Sequence, residues 1–148
     1  MANIAFNIAL GKVAYYAGLP AANDALIAVP IETSGIVSDA VMRDYDDLAT
    51  LLAGASNEQT TMGRKTLASV TTTVDDTNDR VAVDSADITW TAATGNAVSA
   101  LVICYDPDTT TSTDSTRIPL VKLDFPLTPD GSDVTATVTD FFRASSAA

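Results

Sequence analysis

The second half of the sequence alternates apolar and polar residues in short runs, and this period of two restricts the possible folds more than any other feature. Ile88, Trp90 and Ala92 are separated by polar residues, and the alternation returns in residues 134–139. Because successive side chains of a strand point to opposite faces of a sheet, the pattern predicts half-buried strands with the Trp90 indole in the core. Turn residues separate the runs, as in antiparallel sandwiches and small barrels. We therefore predict a mainly β fold, an antiparallel β-sandwich or small barrel with one or two short N-terminal helices.

Two longer apolar runs predict the centre of the sheet. Residues 98–105 are apolar on both faces, as expected of a central strand, and residues 117–125 form the strand that returns beside it. Residues 106–115 between them predict a long polar loop. The Thr-Pro-Asp-Gly sequence at 128–131 predicts a turn into the next strand, and the two phenylalanines at 141–142 are expected to pack back onto the sheet.

The first 55 residues mix helical and strand patterns. Residues 3–16 carry apolar residues at helical spacing and predict a short helix that Gly11 interrupts. Residues 25–31 are a continuous apolar run that predicts a buried strand, and Pro30 is expected at a sheet edge or at the end of the pairing. Residues 41–54 return to spacings of three and four and end on a glycine, which predicts a second helix.

We interpret the whole chain, residues 1–148, as one domain in three parts. Residues 1–55 form a helix-strand-helix part, residues 56–83 a connecting segment, and residues 84–148 the β-sandwich part. Residues 67–74 within the connecting segment have the composition of a strand. A chain of this length buries roughly 68 to 70 per cent of its unfolded surface, which is enough for one core.

Residues that are absent from the sequence exclude several classes of chemistry. The chain has no histidine, which excludes imidazole metal sites and nucleophiles that histidine activates. The single Cys104 can form neither an intramolecular disulfide nor a thiolate zinc site, and in its apolar run a thiol acts as a small hydrophobe. We therefore expect a non-enzymatic protein without a cofactor.

The charge of the chain restricts its partners. The sequence has 19 acidic and 8 basic residues, a net charge of -11, which repels nucleic-acid phosphates and anionic lipid headgroups. No apolar run approaches the roughly 18 to 20 residues of a membrane span. The opening residues have no basic leader, so we expect no secretory signal. Neither nucleic acid nor a membrane is expected as a direct partner.

Two acidic clusters are the candidates for a metal site. One lies in residues 75–87, and the other comprises Asp106, Asp108 and Asp114 of the polar loop. Calcium takes carboxylate ligands, but neither cluster has the glycine and glutamate positions of an EF-hand loop. Aspartate is also favoured in turns, so we predict solvated turns and no metal, with a calcium-dependent lectin or enzyme as the remaining alternative. No pair of carboxylates stands out for glycoside hydrolysis.

The aromatic residues near the N-terminus allow two interpretations. Tyr15 and Tyr16 are adjacent in the predicted first helix, and Phe6 precedes them. An exposed helix with aromatic side chains can dock on a partner, because tyrosine gives a large contact area. The same side chains could instead pack on the sandwich of their own chain, and the sequence leaves both interpretations open.

Several short sequence motifs of the chain occur together in a known class of proteins. They are Ala-Phe-Asn-Ile-Ala at 5–9, Arg-Asp-Tyr-Asp-Asp-Leu at 43–48, Asp-Thr-Asn-Asp-Arg at 76–80, Thr-Trp-Thr-Ala at 89–92, Cys-Tyr-Asp-Pro-Asp at 104–108, Thr-Pro-Asp-Gly-Ser-Asp at 128–133 and the closing Phe-Arg at 142–143. With these motifs the chain resembles small structural proteins encoded among the virion genes of tailed bacteriophages. The likeness covers most of the chain, and the second half is similar to a widespread phage β-sandwich pattern.

The resemblance implies a component of the virion, either a capsid decoration protein or a minor tail protein. Because the net charge disfavours a position beside packaged DNA, we expect the outer capsid surface. There the chain would bind neighbouring subunits of the major capsid protein, or other virion proteins, as a homo-oligomer such as a dimer or trimer. The alternative is a minor tail or collar protein that serves as an assembly or host-surface binding module.

Two segments are the expected contact surfaces in this hypothesis. They are residues 4–16 and the polar loop, residues 106–115, both of which we expect to be exposed. The candidate partner-binding residues in these segments are Ile4, Phe6, Ile8, Tyr15, Tyr16, Asp106 and Asp108.

Overall fold

The structure is a computed structural model that describes residues 2–54 and 56–146. The strands in these residues are β1 (Ile4–Ala5), β2 (Ala25–Glu32), β3 (Lys65–Thr66), β4 (Thr71–Asp75), β5 (Arg80–Asp84), β6 (Ile88–Trp90), β7 (Val98–Asp106), β8 (Ile118–Leu127), β9 (Val134–Ala136) and β10 (Phe142–Ser145). The helices are α1 (Val13–Ala17), α2 (Asp39–Met42) and α3 (Leu48–Ala53), and a 3₁₀ turn covers Asn7–Ala9. The prediction of a mainly β protein with short helices is confirmed.

The main sheet has five antiparallel strands in the order β1-β8-β7-β2-β3. β7 is its middle strand, as the sequence predicts, and pairs along nearly its whole length with β2 on one side and β8 on the other. A three-stranded sheet, β10-β5-β4, and a two-stranded sheet, β6-β9, accompany it. β9 pairs with β6 rather than with β8, because the turn before β9 is bonded through the Gly131 and Ser132 backbones to Ala93.

Different layers cover the two faces of the main sheet. On one face, Leu101 and Ile103 of β7 lie in a cluster with Trp90 and with side chains of β5, β9 and α1. On the other face, Val102 and Cys104 lie in a cluster with side chains of α2 and α3. Because both faces are covered, β7 is apolar at successive positions and does not show the alternation of a half-exposed strand.

Trp90 anchors the first of these clusters, as predicted. Its side chain is 1% exposed, and its indole Nε1 donates a hydrogen bond of 2.9 Å to the Gly63 carbonyl. At the other end of the chain, Phe141 is buried, and Phe142 starts β10 opposite Val83 of β5. The predicted packing of the two phenylalanines against sheet residues is therefore confirmed.

The first predicted helix, residues 3–16, is wrong in its first part. Ile4–Ala5 is a strand, the 3₁₀ turn follows it, and only Val13–Ala17 is α-helical. Gly11 separates the two helical pieces, as predicted, with a φ of 73° that favours glycine. Pairing with the edge of β8 outweighs the local helical spacing at Ile4.

The second predicted helix, residues 41–54, is two helices in the structure. α2 ends at Met42, and α3 begins only after Asp47. Asp47 has an extended backbone, and its carboxylate accepts a hydrogen bond of 2.8 Å from the Thr50 N–H, so it is the N-cap of α3. None of the helices in the described part of the chain has the length and apolarity that a membrane span requires.

Pro30 does not end the pairing of its strand. β2 continues to Glu32 and has neighbours on both sides. The Pro30 carbonyl accepts a hydrogen bond of 2.9 Å from the Gln59 N–H, on the side of the strand away from β7. The nitrogen of a strand residue points to the same side as its carbonyl, so the missing N–H removes no bond of the β2–β7 ladder.

Candidate interaction surfaces

The start of the N-terminal segment is part of the main sheet. Ile4 is half-buried in β1 opposite Lys122 of β8. Phe6 is fully buried, and its N–H donates a hydrogen bond of 3.0 Å to the Leu120 carbonyl. The expectation that Phe6 lies on an exposed contact surface is therefore wrong, because its ring packs in the cluster beneath α2 and α3.

The rest of the N-terminal segment exposes apolar side chains. Ile8 is 37%, Leu10 61% and Tyr15 63% exposed. Among the described residues, three of the five exposed large apolar side chains lie in this stretch of eight residues, and the other two are Val41 and Val74. This exposed segment, residues 8–15, is the most concentrated apolar surface of the described chain.

Three tyrosines and one aspartate form a contiguous group beside the exposed segment. The Tyr15 and Tyr16 ring centroids are 5.5 Å apart with planes inclined at 66°, and the Tyr16 and Tyr105 centroids are 5.3 Å apart at 35°. The Tyr105 hydroxyl donates a hydrogen bond of 2.8 Å to Asp24 Oδ2. We call Tyr15, Tyr16, Tyr105 and Asp24 the tyrosine cluster. The sequence indicated the first two, whereas only the pairing of β7 with β2 brings in the last two.

The ionisation of Asp24 and Tyr105 is coupled through their hydrogen bond. The Ala21 backbone N–H and the Tyr105 hydroxyl hold the pKa of Asp24 below its usual value. Burial and the Asp24 carboxylate raise the pKa of Tyr105 to about 12. At neutral pH the hydrogen bond therefore joins an ionised Asp24 carboxylate to a protonated Tyr105 phenol.

The polar loop bonds mostly to itself. Asp106 is 3% exposed, and its Oδ2 accepts a hydrogen bond of 2.8 Å from Arg117 Nε. The expectation that Asp106 is an exposed contact is therefore wrong. Asp108 is half-buried and accepts hydrogen bonds from the side chains and the backbones of Thr110 and Thr111, which lower its pKa. These bonds hold Asp108 in the turn of the loop.

A network of ion pairs anchors the polar loop to the body of the protein. Arg64 makes bidentate bonds to Glu58, at 2.8 and 2.6 Å, and to Asp114, at 2.6 and 2.9 Å. Arg117 bonds to Asp114 and Asp106, each at 2.8 Å. We call these five residues the Arg64 network. The bonds from Arg64 hold the pKa of Asp114 below its usual range, and nothing in the spacing of the sequence indicated the network.

Lys122 forms a second, more deeply buried ion-pair site. Its side chain is fully buried, and its Nζ donates to Asp39 at 2.8 Å and to Asp124 at 3.0 Å. Asp39 also accepts a hydrogen bond of 2.9 Å from the Ala2 N–H. A lysine within the apolar run of β8 was the only available signal, and Asp39 is distant from it in sequence. The site ties α2, β8 and the N-terminal residues together.

Three of the acidic residues between 75 and 87 accept hydrogen bonds from other residues of the chain. Asp75 accepts hydrogen bonds from Asn78 and Arg80 across the β4–β5 turn. Asp84 and Asp87 accept from the backbone N–H groups of residues near the C-terminus, Asp140 and Val138. In residues 2–54 and 56–146 no group of three acidic or cysteine side chains is placed to hold a metal ion.

A cavity of about 460 Å³, lined by both apolar and polar residues, opens between the main sheet and the β6–β9 sheet. Two carboxylates reach it, Asp124 and Asp140. Both are ion-paired, Asp124 with Lys122 and Asp140 with Arg143. Cys104 is fully buried on the other face of the sheet, and burial raises the pKa of its thiol, which disfavours a nucleophilic thiolate.

Comparison of the chain with protein-family models, with curated proteins and with solved structures found no match.

Proposed function

We propose that this chain is a non-enzymatic structural protein of a tailed-bacteriophage virion. It decorates and stabilises the outer surface of the capsid by binding neighbouring subunits of the major capsid protein. The resemblance of the sequence to virion proteins supports the assignment to this class of structural proteins. The observation that carries the mode of action is the concentration of exposed apolar side chains in residues 8–15, on a scaffold whose polar loop is held by ion pairs within the chain.

The exposed segment supports binding by many weak contacts. Leu10 and Tyr15 are each more than half exposed, and full burial of such a side chain contributes about 1.5 to 3 kcal/mol. A single contact of this size is weak once the loss of translational freedom is included. A homo-oligomer, such as a dimer or trimer at a symmetry axis of the capsid, presents the segment several times, and the contacts then add through multivalency.

The surface charge supports a position outside the capsid. A net charge of -11 opposes contact with packaged DNA and favours solubility at the outer surface. The carboxylates of the polar loop bond within the chain, which suits a rigid scaffold better than a catalytic site that must bind and release a substrate.

Quantitative mass spectrometry of purified virions tests the proposal. We expect a copy number comparable to that of the major capsid protein, because a decoration protein repeats with the lattice. Absence of the chain from mature particles would overturn the proposal. A few copies, set by the rotational symmetry of the tail, would instead support the alternative, a minor tail or collar protein.

Binding of the purified chain to expanded capsids that lack it tests the contact surface. The double variant Leu10→Ser with Tyr15→Ser removes both large contacts and should weaken binding at least tenfold, since about 1.4 kcal/mol corresponds to a factor of ten. The matched control is Val74→Ser, because Val74 is 68% exposed and lies outside residues 8–15. Equal binding of the double variant and the wild type would exclude residues 8–15 as the contact.

A further inference from the structure

We propose that the tyrosine cluster binds an arginine side chain of the neighbouring protein. This inference rests on the proposed function for the presence of that neighbour, and it adds the chemistry that the cluster recognises. The cluster offers an exposed aromatic ring at one end and an ionised carboxylate at the other, a combination that suits a planar cation.

The four side chains form a continuous row. Tyr15 is 63% exposed at the outer end, and ring centroids no more than 5.5 Å apart lead through Tyr16 to Tyr105. The Tyr105 hydroxyl contacts Asp24 at 2.8 Å, so the carboxylate lies at the inner end of the row. Tyr16, Tyr105 and Asp24 are half-buried and bonded or stacked, which holds the row in one arrangement before any partner arrives.

Aromatic faces and a carboxylate both attract cations. The π face of tyrosine carries negative electrostatic potential, and guanidinium groups stack on it more often than ammonium groups do. Asp24 accepts one bond at each oxygen, from Ala21 and from Tyr105, and each carboxylate oxygen has a further acceptor site. A guanidinium can therefore stack on the exposed Tyr15 ring while the Asp24 carboxylate at the other end of the row adds electrostatic attraction, whereas the compact, strongly hydrated lysine ammonium gains less from stacking.

The surroundings of the row favour a cationic partner. Lys12 is the only basic residue in positions 2–24 of the sequence. The polar loop, with Asp108, lies beside the row, because the Thr109 N–H donates a hydrogen bond of 2.6 Å to the Asn23 carbonyl. With a net charge of -11 on the whole chain, a basic segment is attracted and a phosphate group is repelled. A neutral sugar could donate hydrogen bonds to a carboxylate but would gain nothing from the net charge.

Titration of the full chain with short capped peptides, followed by NMR, tests the inference. The probes are acetyl-Gly-Arg-Gly-Arg-Gly-amide, the same peptide with lysine, and the same peptide with citrulline, a neutral isostere of arginine. We expect the arginine peptide to shift the ring resonances of the three tyrosines more than the amides of the β4–β5 turn. It should bind about two- to fivefold more tightly than the lysine peptide, and the citrulline peptide should not bind.

Variants of the exposed ring separate stacking from apolar contact. Tyr15→Leu keeps an apolar side chain but removes the π face, and it should weaken arginine-peptide binding about two- to fivefold. Tyr15→Phe should retain the wild-type affinity. Val41→Ala is the matched control, because Val41 is 48% exposed, lies outside residues 8–15 and carries no ring. Asp24→Asn should weaken binding by a similar factor, with less dependence on salt.

Three results would overturn the inference. The first is equal affinity of Tyr15→Leu and wild type for the arginine peptide. The second is a set of NMR shifts spread evenly over all acidic turns. The third is a shift of the ring resonances with maltohexaose but not with the peptide, which would assign the row to carbohydrate. Failure here is distinct from failure of the proposed function. Capsid binding that survives Tyr15→Leu removes only the arginine contact, whereas peptide binding by a chain that is absent from virions removes only the virion role.

Discussion

The tyrosine cluster and the Arg64 network differ in where their interactions end. In the Arg64 network, the side chain of Arg64 is 25% exposed, and its guanidinium bonds to two carboxylates of its own chain. In the tyrosine cluster, the row of contacts ends at the Tyr15 ring, which is 63% exposed and faces solvent. Each region includes residues of a segment in which the sequence predicted partner contacts, but only the second leaves a large apolar side chain mostly exposed.

This difference separates charge that stabilises from surface that binds. A group whose hydrogen bonds are made within the fold gains little from a partner, because binding would have to break those bonds first. An exposed ring held by half-buried neighbours gains contact area at small entropic cost. We therefore expect substitutions in the ion-paired groups to change the free energy of unfolding, and substitutions at the exposed ring to change binding instead.

The largest loss of stability is expected from substitution of Lys122, whose buried ion pairs connect the N-terminal residues to α2 and β8. Lys122→Ala should lower the free energy of unfolding by about 3 kcal/mol, because it leaves two carboxylates without their buried cation. Urea unfolding measures the loss. Lys122→Met keeps most of the side-chain volume and should lower the free energy of unfolding by less than Lys122→Ala. Lys12→Ala serves as an exposed control.

A change below about 1 kcal/mol for Lys122→Ala would mean that water replaces the ammonium group at little cost. Asp39 and Asp124, with side chains 20% and 34% exposed, would then be solvated without Lys122. The N-terminal residues would in that case be held mainly by the β1–β8 pairing and by the buried Phe6.

The Arg64 network is expected to rank second. Arg64→Ala should lower the free energy of unfolding by about 2 kcal/mol, since Glu58 and Asp114 are partly exposed and can be rehydrated in part. Arg143→Ala is the matched control, because Arg143 is 48% exposed and pairs only locally with Asp140, so its loss should be below about 1 kcal/mol. Equal losses for the two variants would contradict the structural role of the network.

Acid should weaken the ion-paired regions. The pKa of Asp114 is lowered by Arg64, and the pKa of Asp39 is lowered by Lys122. A carboxyl whose pKa is lower in the folded state stabilises the fold above its unfolded value, near 4, and this contribution is lost as the pH falls through the folded value. Urea unfolding between about pH 2 and pH 6 should show falling stability toward acid. Arg64→Ala should show a shallower fall, and an unchanged slope would contradict the assignment.

Alkali should instead weaken the tyrosine cluster. The pKa of Tyr105 is raised to about 12 from the model-compound value of 10.0. A phenol with a raised folded pKa stabilises the fold below its unfolded value, and the contribution is lost as the pH rises toward the folded value. Stability should therefore decline between about pH 10 and pH 12, less steeply in Tyr105→Phe, and tyrosinate absorbance reports the ionisation. Asp24→Asn removes one cause of the raised pKa, so its decline in stability should be intermediate in steepness between those of the wild type and Tyr105→Phe.

The β-strands of the second half were predictable because their signal is local. The alternation around Trp90 and the continuous apolar run of β7 follow from which faces the neighbouring layers cover. The N-terminal strand and the break between α2 and α3 were not predictable in this way. Ile4 pairs with Lys122 across more than a hundred residues, and the Asp47 cap competes with a helical pattern that continues through it.

The candidate site was predictable only in its exposed half. Tyr15 and Tyr16 stand out in the sequence as adjacent aromatic residues in a short predicted helix. Nothing in the sequence distinguishes Tyr105 from the other residues of its strand, or Asp24 from the other aspartates in turns. Only the register of β2 with β7, which pairs Leu26 with Tyr105, brings these two beside the helix. Burial of Phe6 was missed for the same reason, since its neighbours come from distant elements.

The smallest change in stability is expected at the exposed ring itself. Tyr15→Ala and Leu10→Ala should each change the free energy of unfolding by less than about 0.5 kcal/mol, because their side chains are mostly in solvent in the folded chain as well. Tyr16→Ala, by contrast, removes a half-buried ring that packs against Tyr105 and should lose about 1 to 2 kcal/mol. Thermal unfolding of the three variants checks the order. A loss above about 1 kcal/mol for Tyr15→Ala would make this ring a structural element of its own chain, and the contrast with the Arg64 network would then disappear.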